Sequence, residues 1–347
     1  VPVLGFAFLL AGITEFLIQK KQKNIVIAIA SIVLIFYSFK TYTQTKIWQN
    51  DELLSGHALK KYPKSMLANS NYADALAKIQ DFDNALKYYN KSIQIFPYYS
   101  DAFNNRGVLY GNLKNYHLAL KDFDKAIQLA DKNVVALANR GFNYYYVDNY
   151  NLAQKDFLHA LKLEKNNIKA LLGLASIYTK QKNFDKANSY IQKVFKISPN
   201  NAEAFNSLGV LYLENNQSEK ALQNFNKSIK IDPKIASNFR YRGEIKGRFM
   251  NDYSGSKQDL LKAIEIDNYD YIAYNNLGII NMMMNDFDDA EKNFLKSYEI
   301  KPDYCEAIIN ICLFYIKQNN IDKAQKYIDE VYKNNCNINI INNLLNN

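Results

Sequence analysis

The sequence predicts an all-α chain: two transmembrane helices followed by a right-handed α-solenoid of about eight helical hairpins. Three observations predict it. Apolar side chains recur at three- and four-residue steps, which gathers them on one face of a helix. Small residues and prolines recur every 34 residues along most of the chain. Two apolar stretches stand at the amino end, each near the length of a bilayer span.

The 34-residue beat is clearest around Ser100–Asn133. Phe103, Arg106, Gly107 and Tyr110 share one helix face, and Ala119, Leu120, Phe123, Ala126 and Ile127 share the next, around a break at Lys114–Asn115. Ala119 recurs as Ala85, Ala153, Ala187 and Ala221 and, one residue late, as Ala290 and Ala324. Gly107 recurs as Gly141, Gly209, Gly243 and Gly278. Pro63, Pro97, Pro199, Pro233 and Pro302 keep the same beat, and proline marks where a helix cannot continue. One such hairpin cannot bury its apolar faces alone, so it requires like neighbours. This pattern resembles the tetratricopeptide repeat, a helix–turn–helix unit that stacks into a superhelix.

From the amino end, Val1–Ile18 and Ile25–Phe39 read as two membrane spans within residues 1–45, joined by the basic turn of Lys20, Lys21 and Lys23. Tyr37, Tyr42 and Trp48 sit near the far end of the second span, where aromatic residues favour the interface. The lysine turn places that loop in the cytoplasm and the repeats on the non-cytoplasmic side, periplasm or lumen. Val1 is followed by no basic leader, so a cleaved signal sequence is disfavoured and the stretch reads as the carboxy-terminal part of a longer protein.

Residues 46–65 read as a linker and a half-repeat helix over Lys46–Tyr62, with Ala58 and Pro63 in repeat slots. Eight repeats follow over residues 66–338: Met66–Tyr99, Ser100–Asn133, Val134–Asn167, Ile168–Asn201, Ala202–Ile235, Ala236–Asp270, Tyr271–Tyr304 and Cys305–Ile338. The sixth has one extra residue, expected in its Met250–Ser254 turn, and Ser256 in the alanine slot predicts looser packing. Residues 339–347 read as a truncated capping helix.

The net charge of +9 comes from lysines interspersed with acids along the helices, a solvated surface and not the basic stripe that nucleic acid needs. Cys305, Cys312 and Cys336 all lie in the last repeat without metal-ligand spacing. Cys312 takes the small-residue slot of a first helix and is expected in the core. Cys305 and Cys336 fall at the same end of one hairpin, where an oxidising compartment would allow them to pair, but the expectation from the sequence is that they stay unpaired. His57, His117 and His159 are isolated, and no P-loop, dinucleotide fingerprint or nucleophile elbow is present. The sequence therefore names no catalytic residue, cofactor or metal.

Recognition is the chemistry that remains. Arg106, Arg140 and Arg242 precede repeat glycines, and the same three repeats carry Asp122, Asp156 and Asp259 on the second helix. A charge near a packing seam is costly unless paired, which predicts the ion pairs Arg106–Asp122, Arg140–Asp156 and Arg242–Asp259. Asn71, Asn105, Asn139, Asn276 and Asn310 form a row two residues before the glycine slot, joined by Asn104, Asn206 and Asn275 one position earlier in register. A row of amides on the inner face of the first helices can hydrogen-bond an extended peptide of any sequence. It resembles the asparagine ladder of the repeat superhelix in O-linked N-acetylglucosamine transferases. Val108, Phe142, Tyr145, Tyr146, Val210, Ile279, Met282, Met283 and Leu313 form an apolar lining beside it.

The layout as a whole is similar to another group. Pro2 and Gly5 open a hydrophobic helix; a short basic turn, a second apolar helix, the segment IWQNDELLSGHALKKYP and the repeats follow. This resembles the carboxy-terminal part of the transmembrane and tetratricopeptide repeat-containing O-mannosyltransferase family. The resemblance implies repeats facing the lumen or periplasm and, for a longer parent, a glycosyltransferase. That family's acidic catalytic residues lie in earlier segments, so none is carried onto this sequence. The expected function is a membrane-anchored scaffold whose concave face binds protein or peptide partners, with substrate recruitment for a membrane glycosyltransferase as the alternative.

Overall fold

The structure is a computed structural model that describes residues 23–337 together with 12, 15, 16 and 19. The first apolar stretch, Val1–Ile18, and the capping helix expected over 339–347 lie outside the described residues. Every regular element among the described residues is an α-helix. The chain divides into two compact units, residues 1–105 and 106–347.

In the first unit, α1 runs over Lys23–Ile47, α2 over Asp51–Lys61, α3 over Met66–Lys78 and α4 over Phe82–Ile95. Helix α5, Ser100–Asn112, begins here. Asn24–Ile47 is apolar and 24 residues long, about 36 Å at 1.5 Å per residue, enough for the roughly 30 Å core of a bilayer. Its apolar side chains are not buried by the chain: Ile32, Leu34, Ile35 and Phe39 are all exposed. It is the one helix of that length and apolarity among the described residues.

The half-repeat starts later than the sequence suggests. Lys46 belongs to the last turn of α1, and α2 begins only at Asp51, where the Asn50 side chain accepts from the Leu53 amide at 2.8 Å. Asparagine satisfies one orphan amide of a helix start, so the cap decides the boundary. Ser55, not Ala58, is the buried residue of α2.

The second unit contains the rest of α5 and six further hairpins. Helices α6 (Tyr116–Leu129), α7 (Val134–Tyr146), α8 (Tyr150–Leu163), α9 (Ile168–Lys180), α10 (Phe184–Ile197), α11 (Ala202–Glu214) and α12 (Ser218–Ile231) come first. They are followed by α13 (Ala236–Phe249), α14 (Tyr253–Ile266), α15 (Tyr271–Met283), α16 (Phe287–Ile300), α17 (Cys305–Lys317) and α18 (Ile321–Lys333). Each second helix packs between its own first helix and the next one, while first helices of successive repeats also touch each other. First helices therefore line one side of the stack.

The alanine slots explain the close packing. Ala119, Ala153, Ala187, Ala221, Ala290 and Ala324 are all fully buried. The glycine slots face an aromatic ring sixteen positions on. A Cβ at Gly107 would lie 2.9 Å from Phe123, at Gly141 2.7 Å from Phe157, at Gly209 2.6 Å from Phe225 and at Gly278 2.6 Å from Phe294. Glycine is required there because the ring occupies the space a methyl would take. In the sixth repeat Leu260 replaces the phenylalanine and leaves a wider gap, 3.0 Å, above Gly243.

The turns between helices are one motif repeated. A residue in the left-handed region ends each first helix: Lys114 (φ 60°), Asp148 (58°), Lys182 (58°), Asn216 (55°), Asn251 (53°), Asn285 (59°) and Asn319 (54°). Asn115, Asn149, Asn183 and Asn320 then cap the second helix with their side chains. Asparagine enters the left-handed region more readily than most residues and is among the best N-caps, so these asparagines have a structural use.

The sixth repeat departs from expectation in two ways. Its extra residue does not enlarge the turn, which keeps three residues; α13 instead has 14 residues where α11 has 13. The left-handed Asn251 and the Asp252 cap hold the turn fixed, so the helix absorbs the insertion. Nor is the Ser256 slot loose. Ser256 is fully buried and its hydroxyl donates to the Gly243 carbonyl at 2.7 Å, tying the two helices together.

Cys305 and Cys336 form a disulfide with Cα atoms 5.4 Å apart, joining the start of α17 to the segment after α18. Cys312 is fully buried among Ile308, Ile311, Phe314 and Ile328, and burial pushes its thiol up to about 12.

Candidate functional site

The first helices of the second unit enclose a concavity of about 710 Å³. Its wall begins with Val108, Gly111 and Asn112 of α5 and the turn residues Lys114 and Tyr116. Asn139, Phe142, Asn143, Tyr145 and Tyr146 of α7, then Lys169, Leu172, Ser176 and Lys180 of α9, continue it. Glu203, Asn206, Ser207 and Val210 of α11, Ser237, Arg240 and Tyr241 of α13, and Asp267, Asp270 and Tyr271 complete it. The spacing of three and four residues along each helix is what turns these side chains to one side.

Aromatic rings supply most of the apolar wall. Tyr146 keeps 58 % of its surface open to solvent. It stacks on Tyr116 with ring centroids 5.8 Å apart and lies against Phe142, whose ring meets Phe157 of the core edge-on at 5.0 Å. Tyr241 stacks on Phe225 at 5.3 Å and carries the Arg240 guanidinium over its face at 4.3 Å. Rings backed by core rings make a firm surface, suited to apolar side chains or a peptide backbone.

Most charges in the wall are paired. Arg240 Nε donates to Asp270 at 3.0 Å, Lys180 lies 3.0 Å from Glu214, and Lys114 lies 3.6 Å from Asp267. Lys169 is different: its ammonium donates to Asn139 Oδ1 at 2.5 Å and lies 5.7 Å from the Phe142 ring centre, with no ion pair. Burial lowers its pKa, opposed by the more distant Glu203.

The arginines next to the glycine slots hold the hairpins in register and do not line the concavity. Arg106 donates through Nε and Nη2 to both Asp122 oxygens at 2.7 and 2.6 Å. Arg140 does the same to Asp156 at 2.8 and 2.8 Å, and Arg242 to Asp259 at 2.8 and 2.6 Å. Each aspartate is nearly buried, so the fork-to-fork geometry offsets the loss of water. Contacts to a neighbouring repeat are unforeseen by the sequence reading: Arg140 also donates to Asp124 at 2.7 Å and Arg242 to Asn226 at 2.9 Å.

The amide row divides. Asn139 and Asn206 line the concavity; Asn71, Asn104, Asn105, Asn275, Asn276 and Asn310 do not. Asn104, Asn139 and Asn275 are buried, and the donors of three of the eight amides are used between repeats. Asn105 donates to Asp74 at 3.1 Å, Asn206 to Asn238 at 2.8 Å, and Asn310 to Asn275 at 2.8 Å. The row is thus in part a seam between first helices and not a free ladder throughout. An amide on a face shared by adjacent helices reaches its neighbour before it reaches a ligand.

The apolar lining divides as well. Val108, Phe142, Tyr145, Tyr146 and Val210 face the concavity. Ile279 and Met282 instead pack into the core around Phe294 and Ile311, and Met283 is exposed outside the concavity. Tyr116, Lys169, Arg240, Tyr241, Asp267 and Tyr271 escaped the sequence reading. Lys169, Arg240 and Tyr271 lie in the first or second turn of their helices, and only the helix register, extended to those turns, could have found them.

Comparison with known proteins follows the same geometry. Tetratricopeptide repeat profiles match residues 56–100, 100–133, 166–234 and 271–304, together more than half of the chain. The chain is a tetratricopeptide repeat protein. A chain of the APC/C hetero-tetramer Cut9–Hcn1 has a similar structure, with a TM-score of 0.56 and 15 % identity over 75 % of this repeat protein. The match spans 51 % of that chain, about half its length, and shows the fold alone. MamA is 25 % identical over 47 % of this chain and 94 % of its own, with a TM-score of 0.41. A tetratricopeptide repeat protein from Parabacteroides merdae is 15 % identical over 76 % of this chain and 98 % of its own, with a TM-score of 0.48. No protein of curated function matches this repeat protein.

Proposed function

We propose that this protein is a membrane-attached scaffold that binds an extended peptide segment of a partner protein in the concavity of residues 106–272. One observation carries the reading. Phe142, Tyr145, Tyr146 and Tyr241 turn apolar ring surface into an open hollow of about 710 Å³, where folding alone would favour burying it. Asn206 and Ser237 beside them add amide and hydroxyl groups that can meet a peptide backbone. Selection of random twelve-residue peptides displayed on phage tests this reading. Bound peptides should be recovered and should lose binding to Tyr146→Asp or Val210→Asp, while Tyr332→Asp, outside the hollow, leaves binding intact. Failure to recover peptides, or equal binding by all variants, overturns it.

Membrane attachment is supported by the exposed apolar surface of α1. A non-cytoplasmic location of the repeats is supported by the Cys305–Cys336 disulfide, which persists in oxidising compartments, and by Lys20, Lys21 and Lys23, which precede the apolar run Asn24–Ile47 in the sequence. Digestion of the repeats by protease added outside sealed, right-side-out vesicles tests the orientation; protection refutes it. Recruitment of substrate to a membrane glycosyltransferase would use the same hollow, and transferase activity that co-purifies with the chain from native membranes would favour it.

A further inference from the structure

Helix α2 exposes apolar side chains where the later second helices do not. Leu53, Leu54, Lys60 and Lys61 fall on one side of the helix by its three- and four-residue steps. The opposite side packs on α3, where a Cβ at Gly56 would lie 3.2 Å from the Tyr72 ring. Leu53 takes the slot that carries the exposed Lys87, Lys121 and Lys155 in the next three second helices. Leu54 takes the slot of Asp122 and Asp156, which are buried and paired with their own first helices. Here both leucines are 47 % exposed, and Trp48 and Tyr62 stand open at the two ends of α2.

Two observations say what covers this face. The apolar run Asn24–Ile47 outruns the roughly 30 Å hydrocarbon core, so a centred span ends in the headgroup layer. Asp51 follows Ile47 by four residues, a reach of at most about 14 Å, so α2 starts beside that layer. The charges fit the same partner. Lys60 and Lys61 are exposed on the leucine side, whereas Asp51 is paired with Lys78 of α3 and Glu52 is half-buried.

We propose that α2 lies along the bilayer surface, with Leu53 and Leu54 in the interfacial layer and Lys60 and Lys61 against anionic lipid headgroups. Trp48 and Tyr62 then anchor its two ends, as amphipathic rings do at a membrane boundary. Because α3 packs on the other side of α2, the first repeat is held to lipid by a surface as well as by a tether. The inference rests on the membrane-attachment reading and adds a second contact to it.

Trp48 is the single tryptophan of the chain, so Trp48→Phe supplies a silent background for fluorescence. In that background Phe36→Trp, Leu53→Trp and Tyr62→Trp each place one reporter in the full chain. The chain is reconstituted into vesicles of brominated phosphatidylcholine mixed with phosphatidylglycerol. Bromine should quench all three reporters, and iodide in the water should quench none of them strongly. Lys60→Gln and Lys61→Gln should each lower the ratio of docked to undocked α2 about fivefold. Quenching by bromine at Phe36→Trp, with both α2 reporters open to iodide, overturns this inference and leaves membrane attachment standing. Reporters on α2 hidden from bromine and iodide alike are covered by protein, which overturns it as well. So does bromine quenching at Leu53→Trp with Tyr62→Trp open to iodide, since α2 then points away from the surface. Quenching that ignores phosphatidylglycerol and both lysine changes overturns the headgroup contact. No bromine quenching at Phe36→Trp overturns both readings.

Discussion

Lys114 and Asp267 meet at 3.6 Å although four repeats separate them along the chain. Lys114 sits in the left-handed position of one interhelical turn, and Asp267 caps the end of α14. Tyr116 and Tyr271 lie beside them, and together they form one wall of the concavity. The pair therefore joins the two ends of the hollow's rim. Both side chains are partly exposed, so the pair is worth under about 1 kcal/mol and weakens with salt. Asp267→Lys should lengthen the distance between spin labels at Asn112 and Asn268 with little change in melting temperature. Lys114→Asp in the same chain should restore it.

The Arg–Asp forks should differ in worth according to burial. Asp122→Ala strands a half-buried guanidinium and should cost about 3 kcal/mol in urea unfolding. Asp124→Ala removes a carboxylate that is mostly in water and leaves Arg140 its fork to Asp156, so it should cost less than about 1 kcal/mol.

Gly141 is held to glycine by Phe157, which a Cβ would approach at 2.7 Å. Gly141→Ala should destabilise by about 1–3 kcal/mol through overpacking. Adding Phe157→Leu should recover part of that loss, since Leu260 already serves opposite Gly243 in the sixth repeat. A double-mutant cycle on melting temperature measures the coupling.

Reduction of Cys305–Cys336 releases a loop closed across a sequence separation of 31, and the chain-entropy account gives a loss of about 3–4 kcal/mol. Hydrogen exchange of α17 and α18 should accelerate on reduction while exchange in α7 and α8 stays unchanged. Cys312, its thiol held near 12 by burial, should stay unlabelled by maleimide until the hairpin unfolds.

The last hairpin should also be acid-sensitive. Glu291 accepts a hydrogen bond from the Tyr315 hydroxyl at 2.5 Å and pairs with Lys323 at 3.0 Å, and these hold its carboxyl below its ordinary value of 4.5. A folded-state pKa below the unfolded one adds stability above pH 4.5 that is lost as pH falls through the folded value. Glu291→Gln should flatten the fall in thermal stability between about pH 5 and pH 3, because one titrating group then no longer differs between folded and unfolded states.

Much of this molecule was legible in residues 46–337 of the sequence. Period, small slots and breakers located the helices because a repeat contacts only its neighbours, so its rules are local and recur. The Arg106, Arg140 and Arg242 forks could be read because the partners sit in the same hairpin at a fixed offset. The extra residue of the sixth repeat could be counted but not placed, since turn and helix compete to absorb it and the Asp252 cap decides.

The amides and the lining were less legible for one physical reason. Asn139 and Asn310 occupy the same slot, yet one faces the hollow and the other donates to Asn275. A repeat slot fixes which helix face a side chain takes; the stacking angle between repeats fixes whether that face meets a neighbour or open space. The sequence by itself determined an all-helical repeat array, its hairpin ion pairs and an apolar helix before it. Only the tertiary structure decided that six successive first helices converge on one hollow, that Lys114 reaches Asp267 across it, and that Lys169 stands there bonded to Asn139 and not to a carboxylate. Those relations span whole repeats, and no local spacing encodes them.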